Sequence, residues 1–170
     1  MKRIVACFLI TLLVSFLLIS CSKEESTSEI QLDATVLAIG STSDGATKIE
    51  TETLNLVNVY RVSLGLNALI EIKMMSVQAA LHTDYVIEEG KISHDYFGKR
   101  ANYLINNIPA ESIGENVAAG FTSAKSVLNA WLNSPAHRSI IENSRYTHTG
   151  ISIKTDTVGK YYFVQLFAVK

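Results

Sequence analysis

Apolar residues fall into two regimes along this chain: one nearly continuous block near the start, then spaced positions from residue 54 onward. The block runs from Ile4 to Ile19 with only Thr11 and Ser15 interrupting it, behind Lys2 and Arg3 and ahead of Ser20 and Cys21. A membrane-spanning helix needs about 20 apolar residues. This run stops short of that and meets the polar Ser22-Lys23-Glu24-Glu25. A charged start, an apolar middle and a small residue before Cys21 predict a removed signal peptide over residues 1–20. Ser22 to Glu29 holds no apolar residue and predicts a solvated tether. Ile30 to Ile39 is mildly apolar, suited to a short strand or to packing on the domain, and Gly40 to Gly45 reads as loop.

From Glu52 the spacing becomes helical. Leu54, Val57, Val62 and the adjoining Leu64 predict about three turns, stopped by Gly65. Met75, Ala79, His82 and Val86 share one face of a second helix, with Val77, Leu81 and Tyr85 beside it and Gly90 at its end; it reads as the longest. Lys99 to Asn107 predicts a short third helix before Pro109. Ser123 can cap a helix carrying Val127, Leu128, Trp131 and Leu132. Ser134 can cap the next, with Pro135 at its first position and His137 in its first turn. His148 to Lys154 and Tyr161 to Ala168 read as strands around an Asp156-Thr157-Val158-Gly159 hairpin loop. Helices ahead of a terminal hairpin give an α+β fold.

The 170 residues carry 15 Lys+Arg and 16 Asp+Glu, and loss of Lys2 and Arg3 leaves the rest acidic by about three charges. With no basic stripe, nucleic acid is excluded as the expected partner. Leu18-Ile19-Ser20-Cys21 resembles a bacterial lipobox, which implies cleavage before Cys21 and a lipid on its thiol, hence a membrane partner. Acidic residues directly after such a cysteine also resemble a surface-export signal of some bacterial lipoproteins; periplasm-facing and outward-facing anchors both stay open. Cys7 lies in the removed segment, so no internal disulfide can form. The expected organisation is signal peptide 1–20, lipidated tether 21–50 and one domain over 51–170. A tether of roughly 30 residues reaches at most about 100 Å.

Three segments gather chemistry-bearing side chains: Ser93-His94-Asp95, Gly114-Glu115-Asn116-Val117-Ala118 and Ser134-Pro135-Ala136-His137-Arg138. Two histidines and a carboxylate are what an open zinc site uses when one position is left to water. A histidine in a helix's first turn feels the positive end of the dipole, which favours the neutral ring that ligation needs. Each residue also has a structural reading. His94 and His137 can knit loop to helix; Glu115 can cap a helix or accept backbone N–H bonds beside Gly114; Asn116 can bond neighbouring backbone. His82 reads as core or pocket wall, His148 as a strand-edge polar residue, and Trp131 and Tyr162 as core.

Taken in order, Asn58/Arg61 with Gly65 and Leu69, Ala79-Ala80-Leu81-His82, Ser93-His94, Gly114 to Ala118, Trp131 to Arg138 and Tyr162 to Phe167 resemble the CAP superfamily. That superfamily groups cysteine-rich secretory proteins, antigen 5 and pathogenesis-related proteins, and the likeness is to its bacterial branch. The resemblance implies a three-layer α-β-α sandwich with a central cleft, in which His94 and His137 match the family's pocket histidines and Glu115 its first acidic residue. Many relatives hold a divalent cation there, so zinc or a similar ion is the expected cofactor, with Ser134 and His82 in the pocket. Animal and plant members carry a second acidic residue where this chain has Ser134, which removes negative charge and a candidate base.

Two main functions follow. One is a lipid-tethered module that binds an extracytoplasmic or envelope ligand without chemistry of its own. The other is a metal-assisted hydrolase or peptidase in which His94 and His137 hold the ion and Glu115 is catalytic, moving the proton. Relatives that bind sterols or other lipids suggest a third. The chain lacks a His-Glu-x-x-His helix and a Gly-x-Ser-x-Gly elbow, and its one remaining cysteine is expected to be acylated, which favours binding.

Overall fold

Helix α1 (Lys48–Ser63) starts at Lys48 rather than at Glu52, because Thr47 and Glu50 close its N-terminus reciprocally. Thr47 Oγ1 accepts the Glu50 N–H at 3.3 Å, and the Glu50 carboxylate accepts the Thr47 N–H at 2.6 Å. The computed structural model describes residues 47–170. The signal peptide, Cys21, the tether and the 30–45 segment lie outside the described residues.

The inward face of α1 differs from the apolar ridge that spacing predicts. Val62 and Leu64 are exposed, and Asn58 and Arg61 are buried with Leu54 and Val57. Both polar side chains are spent on backbone. Asn58 exchanges two bonds with Leu69, Nδ2 to O at 3.1 Å and N–H to Oδ1 at 2.8 Å. Arg61 donates to carbonyls of the loops around it.

Helix α2 (Lys73–Glu88) buries Met75, Ala79, His82 and Val86 as its spacing predicts, while Val77 and Leu81 face solvent. At 16 residues it equals α1 rather than exceeding it. Helix α3 spans Phe97–Asn107, two residues longer at its start than expected. Helix α4 (Ala124–Asn133) is capped by Ser123, whose hydroxyl accepts the Ser126 N–H, and α5 (Pro135–Ile141) opens on proline.

Strands β1 (Ile70–Glu71), β2 (Ser112–Ala119), β3 (His148–Thr155) and β4 (Tyr161–Val169) form one sheet in the order β1-β3-β4-β2. β1 runs parallel to β3, and the other pairs are antiparallel. The β3–β4 loop turns where Asp156 Oδ1 accepts the N–H groups of Val158 and Lys160, with Gly159 at φ 83°.

Helices cover both faces of the sheet. On one, Val117, Val164, Leu166 and Ala168 pack with Met75 and Ala79 of α2 and Leu104 of α3. On the other, Ala118, Ile151, Phe163 and Phe167 pack with Val57 of α1 and Val127, Leu128 and Trp131 of α4. The result is the expected three-layer α+β sandwich. Gly150 lets α2 lie directly on β3, since a Cβ there would overlap the backbone of Met75 and Ser76. Strand alternation then turns Glu115 toward the α2/α3 layer and Asn116 toward the α1/α4/α5 layer.

Candidate functional site

The candidate site assembles around Glu115, buried in β2. Its Oε2 accepts two bonds from one guanidinium, Arg100 Nε at 3.0 Å and Nη2 at 2.6 Å. Its Oε1 lies 2.8 Å from His94 Nδ1. A carboxylate only accepts, so His94 donates through Nδ1–H, and Nε2 is the ring nitrogen left to meet a ligand. The expectation that Glu115 caps a helix or takes backbone N–H bonds is overturned, because Gly114 to Ala118 is strand and its partners are side chains. Both its oxygens are occupied away from solvent, which leaves it poorly placed as a general base.

Arg100 is the site residue that spacing alone misses. Its signal lies in α3, where a charged residue shares the buried face with Leu104 four positions on and so demands an internal partner. A third arm of the same guanidinium, Nη1, donates to the Asp95 carbonyl at 2.7 Å and fixes the loop that carries His94.

His82 forms the floor. It is 2% exposed, its Nε2–H donates to the Ser93 carbonyl at 2.8 Å, and the same nitrogen stands 4.0 Å from Glu115 Oε1. Burial, the largest influence, pushes its pKa below the usual histidine value. An unfolded chain protonates this ring near pH 6.5, and the folded chain only at lower pH. The associated stability is therefore complete above about pH 6.5 and lost as pH falls below it, at no more than about 1.4 kcal/mol per pH unit. Urea unfolding between pH 7 and 5 should show this decline, and His82→Gln should flatten it; an unchanged slope in the variant would remove His82 from the account.

His137 belongs to the opposite layer. Ser134, expected to cap α5, makes no capping bond; its hydroxyl lies 2.8 Å from His137 Nδ1 instead. A hydroxyl can accept a ring N–H or donate to a bare nitrogen, so it does not impose a tautomer as Glu115 does on His94. Asn116 reaches further than neighbouring backbone: its Nδ2 donates to the His137 carbonyl at 3.3 Å. Burial first, then the His94 charge, lowers the His137 pKa. Adjacent residues of β2 thus hold the two histidine-bearing segments from opposite faces of the sheet.

Among the described residues no group of three or more His, Cys, Asp or Glu converges on a metal position. What the site offers is two imidazoles, each engaged through Nδ1. His148 lies apart at the start of β3 with Thr147, and Trp131 and Tyr162 are core, as read from the sequence. A cavity of about 230 Å³ opens elsewhere, lined among others by Glu50, Glu71, Ser76 and Ser152.

The cysteine-rich secretory protein (CAP) family profile matches residues 54–167, and the chain belongs to this family. It is 31% identical over 120 residues to the uncharacterized membrane protein YlbC of Bacillus subtilis, covering 68% of this chain and 33% of that one. The chain thus spans about a third of that curated relative. Its structure is similar to that of an outer surface protein from Borrelia burgdorferi, with a TM-score of 0.64 and 26% identity over 74% of this chain and 96% of that one. A more distant structure of the same fold, NaASP2 with Zn2+, has a TM-score of 0.54 at 12% identity, covering 74% and 82%.

Proposed function

We propose that this protein is a lipid-anchored, extracytoplasmic binding module whose cleft holds a divalent cation, zinc foremost, through Nε2 of His94 and of His137, without catalysis of its own. The observation that carries the reading is the paired use of Nδ1: Glu115 takes it on His94 and Ser134 on His137, both at 2.8 Å. A second partner on the far nitrogen is how ligating histidines are oriented. Bound there, the cation supplies Lewis-acid attraction for an oxygen or nitrogen of the incoming ligand. Glu115 orients His94 and stays bound to Arg100, which favours binding over hydrolysis. Ser134 accepts the His137 ring N–H in the ligating tautomer, with less hold than a carboxylate would exert.

NaASP2 with Zn2+ supports the choice of ion by analogy of fold. The names of the Borrelia burgdorferi outer surface protein and of the membrane protein YlbC agree with an envelope location. Attachment itself rests on Cys21 and its lipobox.

The test is calorimetric titration of the full-length chain, in detergent near neutral pH, with zinc chloride. Binding is expected in the wild type, lost in His94→Ala/His137→Ala and weakened about 10- to 100-fold in Glu115→Gln. Equal heats in wild type and double variant would falsify the assignment. Peptide and cell-wall substrates should show no turnover, and turnover abolished by Glu115→Gln would reverse that part. Cys21→Ser should shift the protein out of the membrane fraction; an unlipidated wild-type N-terminus in mass spectra would refute the anchor.

A further inference from the structure

Between α2 and α3, Tyr96 takes a left-handed backbone conformation, φ 58° and ψ 15°. It is the one non-glycine residue with positive φ among the described residues. For a bulky L-residue this costs on the order of 1–2 kcal/mol, and it persists only where the surroundings over-determine it. They do so here. Arg100 Nη1 donates to the Asp95 carbonyl, the Tyr85 hydroxyl donates to Asp95 Oδ2 at 3.1 Å, and the Phe97 N–H donates to the His94 carbonyl at 3.0 Å.

None of these bonds needs an aromatic side chain at position 96. Glycine would hold the same backbone without strain. What tyrosine adds is a ring, and the ring is exposed, with Tyr96 at 58%. It meets Tyr85 edge-on at 5.5 Å between centroids, and Tyr85 in turn stacks on the buried His82 at 5.7 Å. The Lys99 ammonium lies over one face of the Tyr96 ring, 5.0 Å from its centroid. The position is rigid, next in sequence but one to His94, and backed by the guanidinium that holds Glu115.

We propose that Tyr96 is the stacking platform for a sugar ring of a neutral glycan bound at the mouth of this cleft, with Asp95 taking one of its hydroxyls. A pyranose presents an apolar C–H face and a polar rim, and the site offers the complement: the exposed part of the Tyr96 ring that Lys99 does not cover, with the Asp95 carboxylate next to it in the chain. The Asp95 carboxylate is an acceptor, as it is toward the Tyr85 hydroxyl at 3.1 Å. A lipid chain would leave these polar groups without partners, and a polyanion would meet Asp95 in a chain that carries no basic stripe. The proposal rests on the binding reading for the location of the ligand, and not on the cation.

The experiment titrates the full-length chain, in a non-glycosidic detergent, with chitotetraose, mannotetraose and maltotetraose. At least one should bind the wild type. Tyr96→Gly and Tyr96→Asn, both at ease in the left-handed region, should weaken that binding by at least about tenfold while melting within a few degrees of wild type. Tyr96→Phe should retain it. Absence of wild-type binding to all three sugars, unchanged affinity in the glycine and asparagine variants, or a loss that tracks a fall in melting temperature would each overturn the platform. Zinc titration of the same samples separates the two readings, because sugar binding without zinc binding sinks only the cation, and zinc binding without sugar binding sinks only the glycan.

Discussion

Arg61→Met is expected to lower the stability of the folded chain by about 3–5 kcal/mol, among the largest effects available to a single substitution. Arg61 has no exposed surface, and every partner it has is a neutral oxygen. Nε donates to the Asn67 carbonyl at 2.9 Å, Nη1 to those of Ile141 at 2.6 Å and Asn143 at 3.0 Å, and Nη2 to that of Tyr146 at 2.8 Å. Nη2 also reaches Asn67 Oδ1 at 3.3 Å. The carbonyls of Ile141 and Asn143 lie at the C-terminal end of α5, where the helix dipole is negative, which offsets part of the buried charge. Methionine fills the volume but strands the buried carbonyls of Ile141 and Tyr146, at about 1–3 kcal/mol for each one left unsatisfied. Lysine restores the charge but not the fork of donors, so Arg61→Lys should recover only part of the loss. Urea unfolding of the full-length chain reads the difference as a shift in midpoint at constant slope. A loss below about 1 kcal/mol for Arg61→Met would mean that water satisfies these carbonyls.

Arg100→Met is the second large effect. It leaves Glu115, 4% exposed, without the guanidinium that supplies two of its bonds, and it releases the Asp95 carbonyl as well. Breaking one side of a buried ion pair costs about 3–5 kcal/mol, whereas replacing both sides by apolar groups costs much less. Glu115→Leu in the Arg100→Met background should therefore restore stability in part, and a double-mutant cycle should return a coupling well above 1 kcal/mol. Additive losses would show that the two residues act independently, and the geometry would then need another account. His94 should also lose its fixed orientation in Arg100→Met, so the zinc binding proposed above should weaken together with stability in this variant.

The contrast between these two arginines shows what spacing along the chain conveys. Apolar periodicity locates α2 and α4 because Met75, Ala79 and Val86, or Val127, Leu128 and Trp131, bury one face each. It overreaches at Val62 and Leu64, which are exposed, since the inward places on α1 belong to Asn58 and Arg61. Polar residues on a buried face carry no periodic signal; only their partners explain them, and those lie up to 103 residues away, as with Glu50 and Ile153. Thr47 and Glu50 spell a capping box that is legible in the sequence but stands ahead of the first apolar position. β2 escapes a reading by pattern because Ser112 to Ala119 is mostly buried on both faces, and a strand of that kind does not alternate. β1, two residues long, has no pattern to read.

For the site, His94, Glu115 and His137 come from the resemblance to a family, and the structure adds how they are held. His94 meets Glu115 directly, whereas His137 meets Ser134 and, through its backbone, Asn116. No spacing rule connects Glu115 to Arg100, which sits 15 positions earlier on a different element.

Glu115 and Asn116 share one peptide unit of an edge strand, and that unit works as a gauge. The jaw bearing His94 and the jaw bearing His137 are each clipped to it, so neither helical layer can slide along the sheet without breaking a clip. The relative placement of the two histidine segments is thus tied to the backbone of β2, so substitutions around the rim should alter the surface between them more readily than their spacing.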